Sequence, residues 1–381
     1  MAKLGMPTVV VKFIEAGIEA IQRSQRGIVA LILEDTKQVI DKLATKTNGH
    51  EVLPNPFLVY TVDDIPEELS DKNKDYILKA LKGYNKPPLK VFVYMMQQGG
   101  DKAGADRFQE PLKAMLTERF DYLAIPTIET AQLEYVATWV KTARENKFKK
   151  IKVVLPGSNA DYEGVINFGN TKVVTADREY KAAEYTARIA GLVAGTNMTQ
   201  SATYAPLTEV IDCDRHTQDE MDTMVNEGKF FIWYDGEKFK MSRAMNSLVT
   251  TSQGKLEGYQ TIKIVDIMDM IYDDIRKTAQ DSYIGKYTND YENKCLLISA
   301  ILGYFKQLEN ERLLQKDYST CEIDCEAVRT YQLSHGLFTK EELAKMTDDE
   351  VKKLDTKKIV FLKAKVRPLD AMEDIQLPIN I

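Results

Sequence analysis

The segment Leu89–Met96, "LKVFVYMM", is an almost continuous apolar run, which is typical of a strand buried on both faces of a sheet. A helical stretch from Ala103 to Arg119 follows it, and strands and helices then alternate along the chain. This alternation predicts a parallel sheet covered by helices, a Rossmann-like unit. The later members are a strand at 120–127 ("FDYLAIPT"), a helix from Glu129 to Asn146, and strands at 151–157 ("IKVVLPG") and 171–176 ("TKVVTA").

Two further strands are predicted before this unit. Residues 28–35, "IVALILED", form one of them. Residues 8–14, "TVVVKFI", form the other, with Val9, Val11 and Phe13 on one side because side chains alternate along a strand. The polar stretch "QRSQRG" separates the two. The first strand is therefore predicted to be a detachable N-terminal arm, and the alternative is an ordinary first strand of the body.

The second half of the chain is predicted to mix helices with short strands. A hairpin is indicated by "KFFIWYDGEKFKMS" (229–242), because Asp235-Gly236 is a favoured turn between two strand-forming runs. A last body strand, "KKIVFLKAKVRP", ends at Pro368, which cannot continue a ladder. The remaining signals are helices at Tyr180–Val193, at Val265–Asp281 and from Tyr291, with helix starts marked by Asn289 and Glu292, Thr339 and Glu342, and Thr347 and Glu350.

The final ten residues, "MEDIQLPINI", carry apolar side chains at every second position. Ile375, Leu377, Ile379 and Ile381 would share one face of a strand. Chain ends are usually polar and frayed, so we expect this face to be buried against something. Pro368 separates the segment from the preceding strand, which favours a C-terminal arm that pairs with another molecule. Folding back onto its own domain is the alternative, because strands adjacent in sequence often pair.

Composition limits the classes of protein that fit. A chain of 381 residues is expected to form two or more domains, and 44% hydrophobic with 28% charged residues excludes wholesale disorder. The net charge of −6 argues against a dedicated nucleic-acid binder and against polyanionic membranes. The longest apolar run is far shorter than a membrane span of roughly 20 residues, so no direct membrane insertion is expected. The N-terminus lacks a secretory pattern, so the chain is expected to stay in a cytoplasm.

The sequence offers few groups for catalysis. The loop "QQGGDKAGAD" (97–106) fits neither the dinucleotide-binding nor the P-loop glycine pattern, and a flexible surface loop is the simpler interpretation. Ser158 follows a strand, but it does not lie in a nucleophile elbow, and the chain has only three histidines to act as a base. A nucleotide-binding α/β enzyme, with its site at the strand ends of residues 89–175, is nevertheless the main alternative function.

The cysteines suggest one possible metal site. Cys213 and His216 in "CDRH", together with Cys321 and Cys325 in "CEIDC", could supply four zinc ligands. Their spacings are not those of a standard zinc ribbon, and Cys295 lies on the apolar face of a predicted helix. Unremarkable thiols of a reducing compartment are the commoner case, so no metal site is predicted.

Several stretches resemble the tail sheath proteins of contractile phages, and most closely the compact sheaths of Gram-positive phages, prophages and phage-tail-like bacteriocins. The likeness is strong over 180–381, fair over 1–35 and weak between them. The stretches that carry it are "RGIVALIL" (26–33), "AGLVAGTNMTQSATYAPL" (190–207), "MNSLVT" (245–250), "DDIRKTAQDSYIGKYTNDYENK" (273–294), "LLISAILGYFKQLENERLLQ" (296–315) and "VFLKAKVRPLDAMEDIQLPINI" (360–381).

This resemblance implies a structural protein and not an enzyme. Copies would stack as hexameric rings around a tail tube protein, meet baseplate and tail terminator proteins, and contract to drive the tube through a cell envelope. The family needs no cofactor. Its terminal arms cross to neighbouring subunits and add strands to a neighbour's sheet, which would make Val9, Val11, Phe13, Ile375, Leu377, Ile379 and Ile381 the interlocking residues. The sheath of a secretion or toxin-injection machine is a further alternative.

The expected fold class is α/β, or α+β overall. A Rossmann-like βαβ middle domain is expected beside a mixed α+β inner domain, with extended N- and C-terminal strand arms. The expected ranges are 1–25 for the N-terminal arm, 26–88 for the first part of the inner core domain, 89–178 for the outer domain, 179–366 for the tube-facing inner domain, and 367–381 for the C-terminal arm.

Overall fold

A computed structural model describes residues 20–46, 55–99 and 104–380. Within these residues the chain forms two compact units. The larger one comprises Arg23–Asp273 together with 368–380, and the smaller one comprises 20–22 together with Asp274–Arg367.

Among the described residues, the larger unit contains twelve strands and six α-helices, together with the start of a seventh helix. Its helices are α1 (Lys37–Lys46), α2 (Asp71–Leu81), α3 (Gln109–Met115), α4 (Leu133–Asn146), α5 (Ala182–Ala194), α6 (Gln218–Asn226) and, as far as residue 273, α7 (Ile262–Thr278). Its strands are β1 (Ile28–Asp35), β2 (Phe57–Val59), β3 (Lys90–Gln97), β4 (Tyr122–Ala124), β5 (Lys152–Pro156), β6 (Val165–Phe168), β7 (Lys172–Thr175), β8 (Glu179–Lys181), β9 (Val210–Cys213), β10 (Lys229–Phe230), β11 (Ile232–Tyr234) and β12 (Phe239–Met241).

A seven-stranded sheet in the order β10-β6-β5-β4-β1-β3-β2 forms the centre of this unit. All its pairings are parallel except that of β2 with β3. The apolar run of β1 is buried on both faces: Val29 and Leu31 pack in the cluster that contains residues of α2 and α5, and Ile28 and Ala30 pack in the cluster that contains residues of α3 and α4. The prediction of a parallel sheet covered by helices is therefore confirmed.

The sheet extends beyond the range 89–178 that was expected to hold it. Its central strand β1 comes from the range 26–88, and its edge strand β10 comes from 179–366. The sheet order β3-β1-β4-β5-β6 is a doubly wound order, in which the first strand lies inside and the chain builds outward in both directions. A boundary drawn at residue 89 thus cuts through a single sheet.

One strand was assigned to the wrong sheet and another was missed. The stretch "TKVVTA" forms β7, which pairs antiparallel with β8 and β9 in a separate three-stranded sheet. Its burial alternates between exposed and buried residues, as expected for a sheet with one covered face. The parallel strand is instead β6, "VINF", which is wholly buried. It is short and contains the polar Asn167, so its apolar signal was weak.

The predicted hairpin at Asp235-Gly236 is confirmed. Strands β11 and β12 pair antiparallel, with Tyr234 opposite Phe239. The carboxylate of Asp235 accepts hydrogen bonds from the backbone N–H groups of Glu237 and Lys238, both at 2.9 Å. These bonds close the turn, and strand β12 then leads the chain to Arg243, whose contacts are described below.

A buried ionic cluster joins α7 to the sheet. Asp269 on α7 accepts two hydrogen bonds of 2.9 Å from the guanidinium of Arg144 on α4, and its carboxylate lies 2.7 Å from Nζ of Lys152 on β5. The side chains of all three are at most 4% exposed. Burial alone would raise the pKa of Asp269, but the charges of Lys152 and Arg144 lower it to about 2. Lys152 also lies 2.9 Å from Asp266 on the same helix.

The smaller unit contains the end of α7 and a second set of helices around a two-stranded antiparallel sheet. Asp290, and not the predicted Asn289, caps α8 by accepting a hydrogen bond from the N–H of Asn293. Asn289 instead donates to the carbonyls of Lys357 and Ile359. The elements of this unit are α8 (Tyr291–Asn310), β13 (Thr320–Ile323), α9 (Cys325–Ser334), α10 (Lys340–Lys345), α11 (Asp348–Lys352) and β14 (Leu362–Lys365). The predicted capping boxes at Thr339 with Glu342 and Thr347 with Glu350 are confirmed.

Helices α2 and α5 approach closely at Gly191, which gives the first testable prediction. A Cβ added to Gly191 would lie 2.7 Å from the carbonyl carbon of Ala80 and overlap its oxygen. We expect Gly191→Ala to lower the free energy of unfolding by about 1–3 kcal/mol, the usual cost of overpacking. Gly303 in α8 is the matched control, because nothing lies within 4 Å of its added Cβ. Gly303→Ala should stabilise the helix by about 0.5–1 kcal/mol.

Thermal unfolding followed by circular dichroism at 222 nm measures both changes. No destabilisation by Gly191→Ala would contradict the close approach of α2 and α5, and a destabilisation by Gly303→Ala would contradict the open space around Gly303.

Candidate assembly surface

Residues 369–380 belong to the larger unit and form neither helix nor strand. The predicted interlocking residues Ile375, Leu377 and Ile379 are 83%, 75% and 75% exposed. Single exposed apolar residues are common at surfaces, but here three of them alternate along one short segment, and they are called the apolar stripe below. The apolar side chains of these three residues are therefore left exposed by the chain's own described residues. Ile381 and the N-terminal residues Val9, Val11 and Phe13 lie outside the described residues.

The root of this segment is held by a polar clamp, formed by Ser201, Thr203, Arg243, Glu373 and Asp374. The hydroxyls of Ser201 and Thr203 donate to Oε1 of Glu373, at 3.2 and 2.5 Å. Nη2 of Arg243 donates to both carboxylate oxygens of Asp374, at 2.6 and 2.7 Å, and its Nε lies 3.3 Å from Glu373. The hydrogen bond to Asp374 raises the pKa of the Arg243 guanidinium. The chain is thus fixed at 373–374, immediately before the apolar stripe begins.

Sequence reasoning missed the clamp. The acidic pair Glu373-Asp374 between Pro368 and the alternating residues was the only available signal for an anchored root. Its partners come from the loop before β9 and from the residue that follows Ser242 after the hairpin, more than a hundred positions away in the chain. Only the folded arrangement brings them together.

The two-stranded sheet of the smaller unit has two unpaired edges among the described residues. Strands β13 and β14 pair antiparallel, with Cys321 opposite Ala364 and Ile323 opposite Leu362. The side chains of Cys321 and Ile323 are buried, whereas Ala364 is exposed. A small core beneath the sheet includes Ile323 and residues of α9 and α11. Two strands alone are marginally stable in water, so this sheet is suited to gaining a further strand.

The acidic residues at the end of β1, where a nucleotide would bind in such a sheet, are paired with other side chains and with the backbone of the same chain. In doubly wound sheets, ligands bind at the carboxyl ends of the strands where the order reverses, here between β1 and β4. Glu34 at the end of β1 forms an ion pair with Arg107 and accepts a hydrogen bond from Thr127 at 2.6 Å. Asp35 accepts from the backbone N–H of Ser70 at 3.0 Å, and from Asn73. Glu34 and Asp35 therefore connect strand β1 to neighbouring parts of the fold.

The candidate zinc ligands are divided between the two units. Cys213 and His216 belong to the larger unit, and Cys321 and Cys325 belong to the smaller one. Burial raises the pKa of both the Cys213 and the Cys321 thiol to about 11, which disfavours the thiolate that zinc requires. In the described part of the chain, no three or more His, Cys, Asp or Glu residues are grouped so that they could hold a metal ion. No helix in this part is long and apolar enough to cross a membrane.

Comparisons with known proteins identify relatives of the whole chain. Residues 101–247 match the model of the phage tail sheath protein central domain, and residues 255–381 match that of the phage tail sheath C-terminal domain. The tail sheath protein of Clostridium phage phiCD119 is 32% identical over 382 residues, which covers 99% of both chains.

Solved structures share the fold at lower identity. A sheath tail protein of Desulfitobacterium hafniense has a TM-score of 0.68 at 18% identity, covering 83% of this chain and 94% of that one. The helical sheath of the anti-feeding prophage in its contracted state also has a TM-score of 0.68, at 11% identity, and covers 99% of both chains. The α/β fold described above is therefore the fold of sheath proteins.

Proposed function

The chain belongs to the phage tail sheath family, and on this premise we propose that its copies stack as hexameric rings and form a contractile sleeve around a tail tube. It is a structural subunit of a contractile injection system, and its relatives are structural proteins. The ring, the tube, and the baseplate and terminator partners are implied by the resemblance. The observation that supports linkage between copies is the exposed stripe of Ile375, Leu377 and Ile379 beyond the clamp.

We propose that the C-terminal segment of one copy adds a strand to the β13–β14 sheet of another. Burying an apolar side chain contributes about 1.5–3 kcal/mol, while ordering a residue costs about 1–2 kcal/mol. For a segment in which every second residue is apolar these terms nearly cancel. Attachment then depends on backbone hydrogen bonds, each worth about 0.5–1.5 kcal/mol, which an edge with unpaired N–H and C=O groups can supply.

The N-terminal arm, residues 1–25 with Val9, Val11 and Phe13, is proposed to interlock in the same way. The range 179–366 is proposed to supply most of the inner, tube-facing part, 89–178 the outer part, and 367–381 the C-terminal arm. The range 26–88 is proposed to belong with the outer part, because its strand β1 lies in one sheet with β3 and β4. Assembly would take place in the cytoplasm of the bacterial host, with no contact to nucleic acid and no direct insertion into a membrane. The arms would keep rigid subunits joined while they move between two packings. Contraction would release the free energy that is stored at assembly in the less stable packing.

The purified chain, expressed alone, tests this function. We expect it to form tubes that negative-stain electron microscopy resolves, and to elute from a sizing column ahead of any small oligomer. An enzyme would instead elute as a small oligomer, and its thermal unfolding midpoint would rise with a bound nucleotide. Small oligomers with a midpoint raised by ATP, GTP or NAD would contradict the proposal.

A further inference from the structure

The two edges of the C-terminal segment are not equivalent. In an extended strand, the N–H and C=O groups of successive residues point to opposite edges, so Ile375, Leu377 and Ile379 present theirs on one edge. Gln376, Pro378 and Asn380 present theirs on the other. Proline has no N–H group and occurs within sheets at edge strands, with that side facing solvent. The edge that contains Pro378 therefore lacks a donor in its middle, and the edge of Ile375, Leu377 and Ile379 is complete.

The outer edge of β14 has matching chemistry. The N–H of Asp324 donates to the carbonyl of Phe361 at 3.0 Å, and these two residues continue the register of the β13–β14 ladder. Bonded pairs alternate with unbonded pairs in an antiparallel ladder, so the backbone groups of Leu362 and Ala364 point away from β13, toward the open edge. Their side chains lie on the same face as Ile323, the face of the small core.

An exposed apolar strip accompanies this edge. Ala364 is exposed, and Ile359 and Val360 just before the strand are 47% and 40% exposed. On the β13 side, by contrast, Cys321 and Ile323 are already buried. The uncovered apolar surface thus lies on the β14 side of the sheet.

We propose that the segment of a neighbouring copy binds this edge as an outermost strand, through the backbone of Ile375, Leu377 and Ile379, and leaves the edge of Pro378 in solvent. The inference rests on the proposed function, since it assumes that arms are exchanged between copies. Directly bonded residues of an antiparallel pair share a face, so the same three residues place their apolar side chains beside Leu362 and Ala364. Pairing by the other edge would lose a donor and place Gln376 on the apolar face.

Pro378 then determines where the sheet ends. A strand approaching from outside would meet an edge with a missing donor, which interrupts the ladder. Each recipient sheet therefore accepts one arm at this edge, and open-ended addition of further strands is blocked.

Proline substitutions at adjacent positions test the edge. Ile375→Pro removes an N–H from the pairing edge, and Gln376→Pro removes one from the solvent edge, while both impose a similar backbone restriction. We expect Ile375→Pro to raise the protein concentration needed for half-maximal tube formation by about tenfold or more, since a backbone donor and an apolar side chain are lost. Gln376→Pro should change it by about twofold or less. Ile375→Ala separates the two losses and should give an intermediate value.

Each outcome decides between the alternatives. Thermal unfolding of every variant must match the parent chain, which shows that the body is intact. Loss of tubes in both proline variants would place the segment inside a sheet, which overturns the edge assignment but leaves the exchange of arms standing. Full assembly of Ile375→Pro would also overturn it. Tube formation by a chain that lacks 368–381 altogether would instead contradict the proposed exchange of arms between copies.

Discussion

Removal of residues 368–381 is expected to abolish tube formation and to leave a folded, unassembled body. The apolar side chains of Ile375, Leu377 and Ile379 are exposed and contribute little to the chain's own core. The clamp at Arg243 is partly exposed and consists of hydrogen bonds and ion pairs, so its loss should cost the body about 1 kcal/mol or less. Negative-stain microscopy and pelleting measure assembly, and thermal unfolding by circular dichroism measures the fold.

Matched substitutions control for the removal of the clamp. Changing Ile375, Leu377 and Ile379 together to Ser keeps Glu373 and Asp374 in place and should also abolish tubes. Changing Gln376 and Asn380 to Ser alters the same segment but leaves the apolar stripe, and assembly should persist. Normal tubes from the shortened chain would show that the C-terminal segment is not the connector.

Substitution of Asp269 by Ala is expected to lower the free energy of unfolding of the larger unit by about 3–5 kcal/mol. The change leaves the guanidinium of Arg144 and the ammonium of Lys152 buried without the carboxylate that both contact. Both tryptophans, Trp139 and Trp233, lie in this unit, so urea unfolding followed by their fluorescence reports on it directly. The measurement is made below the protein concentration at which tubes form.

An exposed ion pair provides the control for this substitution. Asp212 lies 3.0 Å from Arg215, and both side chains are about half exposed. Asp212→Ala should change the free energy of unfolding by about 0.5 kcal/mol or less. Equal effects of the two substitutions would contradict the buried role of Asp269.

The effect of Asp269→Ala should also depend on pH. The pKa of Asp269 in the folded protein is lowered to about 2, below its ordinary value of 3.8. A group with a lowered folded pKa contributes stability that is present above its unfolded pKa and is lost as the pH falls through its folded pKa. The difference between the parent chain and the variant should therefore be full near pH 7 and should shrink as the pH falls from about 4 toward 2.

The sequence predicted the elements that have strong local signals. The apolar runs of β1 and β3, the hairpin at Asp235-Gly236, and the capping boxes at Thr339 and Thr347 all formed as expected. Each of these signals lies within a short window of the chain, where periodicity and turn chemistry decide the structure.

Features that depend on distant residues were not predictable in this way. The position of β1 at the centre of the sheet depends on how β3 and β4 lie on either side of it, which no local pattern encodes. The assignment of β7 to a separate antiparallel sheet is of the same kind. The clamp joins residues near 201, 243 and 373, and the ionic cluster joins α4, β5 and α7. Polar side chains find such partners only once the fold is complete.

The clamp at Glu373 and Asp374 also sets the reach of the segment beyond it. An extended chain spans at most about 3.3–3.6 Å per residue, so Ile379 lies no farther than roughly 15–20 Å from the surface around Arg243. A sheet edge that pairs with Ile375, Leu377 and Ile379 must lie within that radius. Under the proposed exchange of arms, the fixed root would limit how far two neighbouring subunits can separate during a rearrangement while they remain joined.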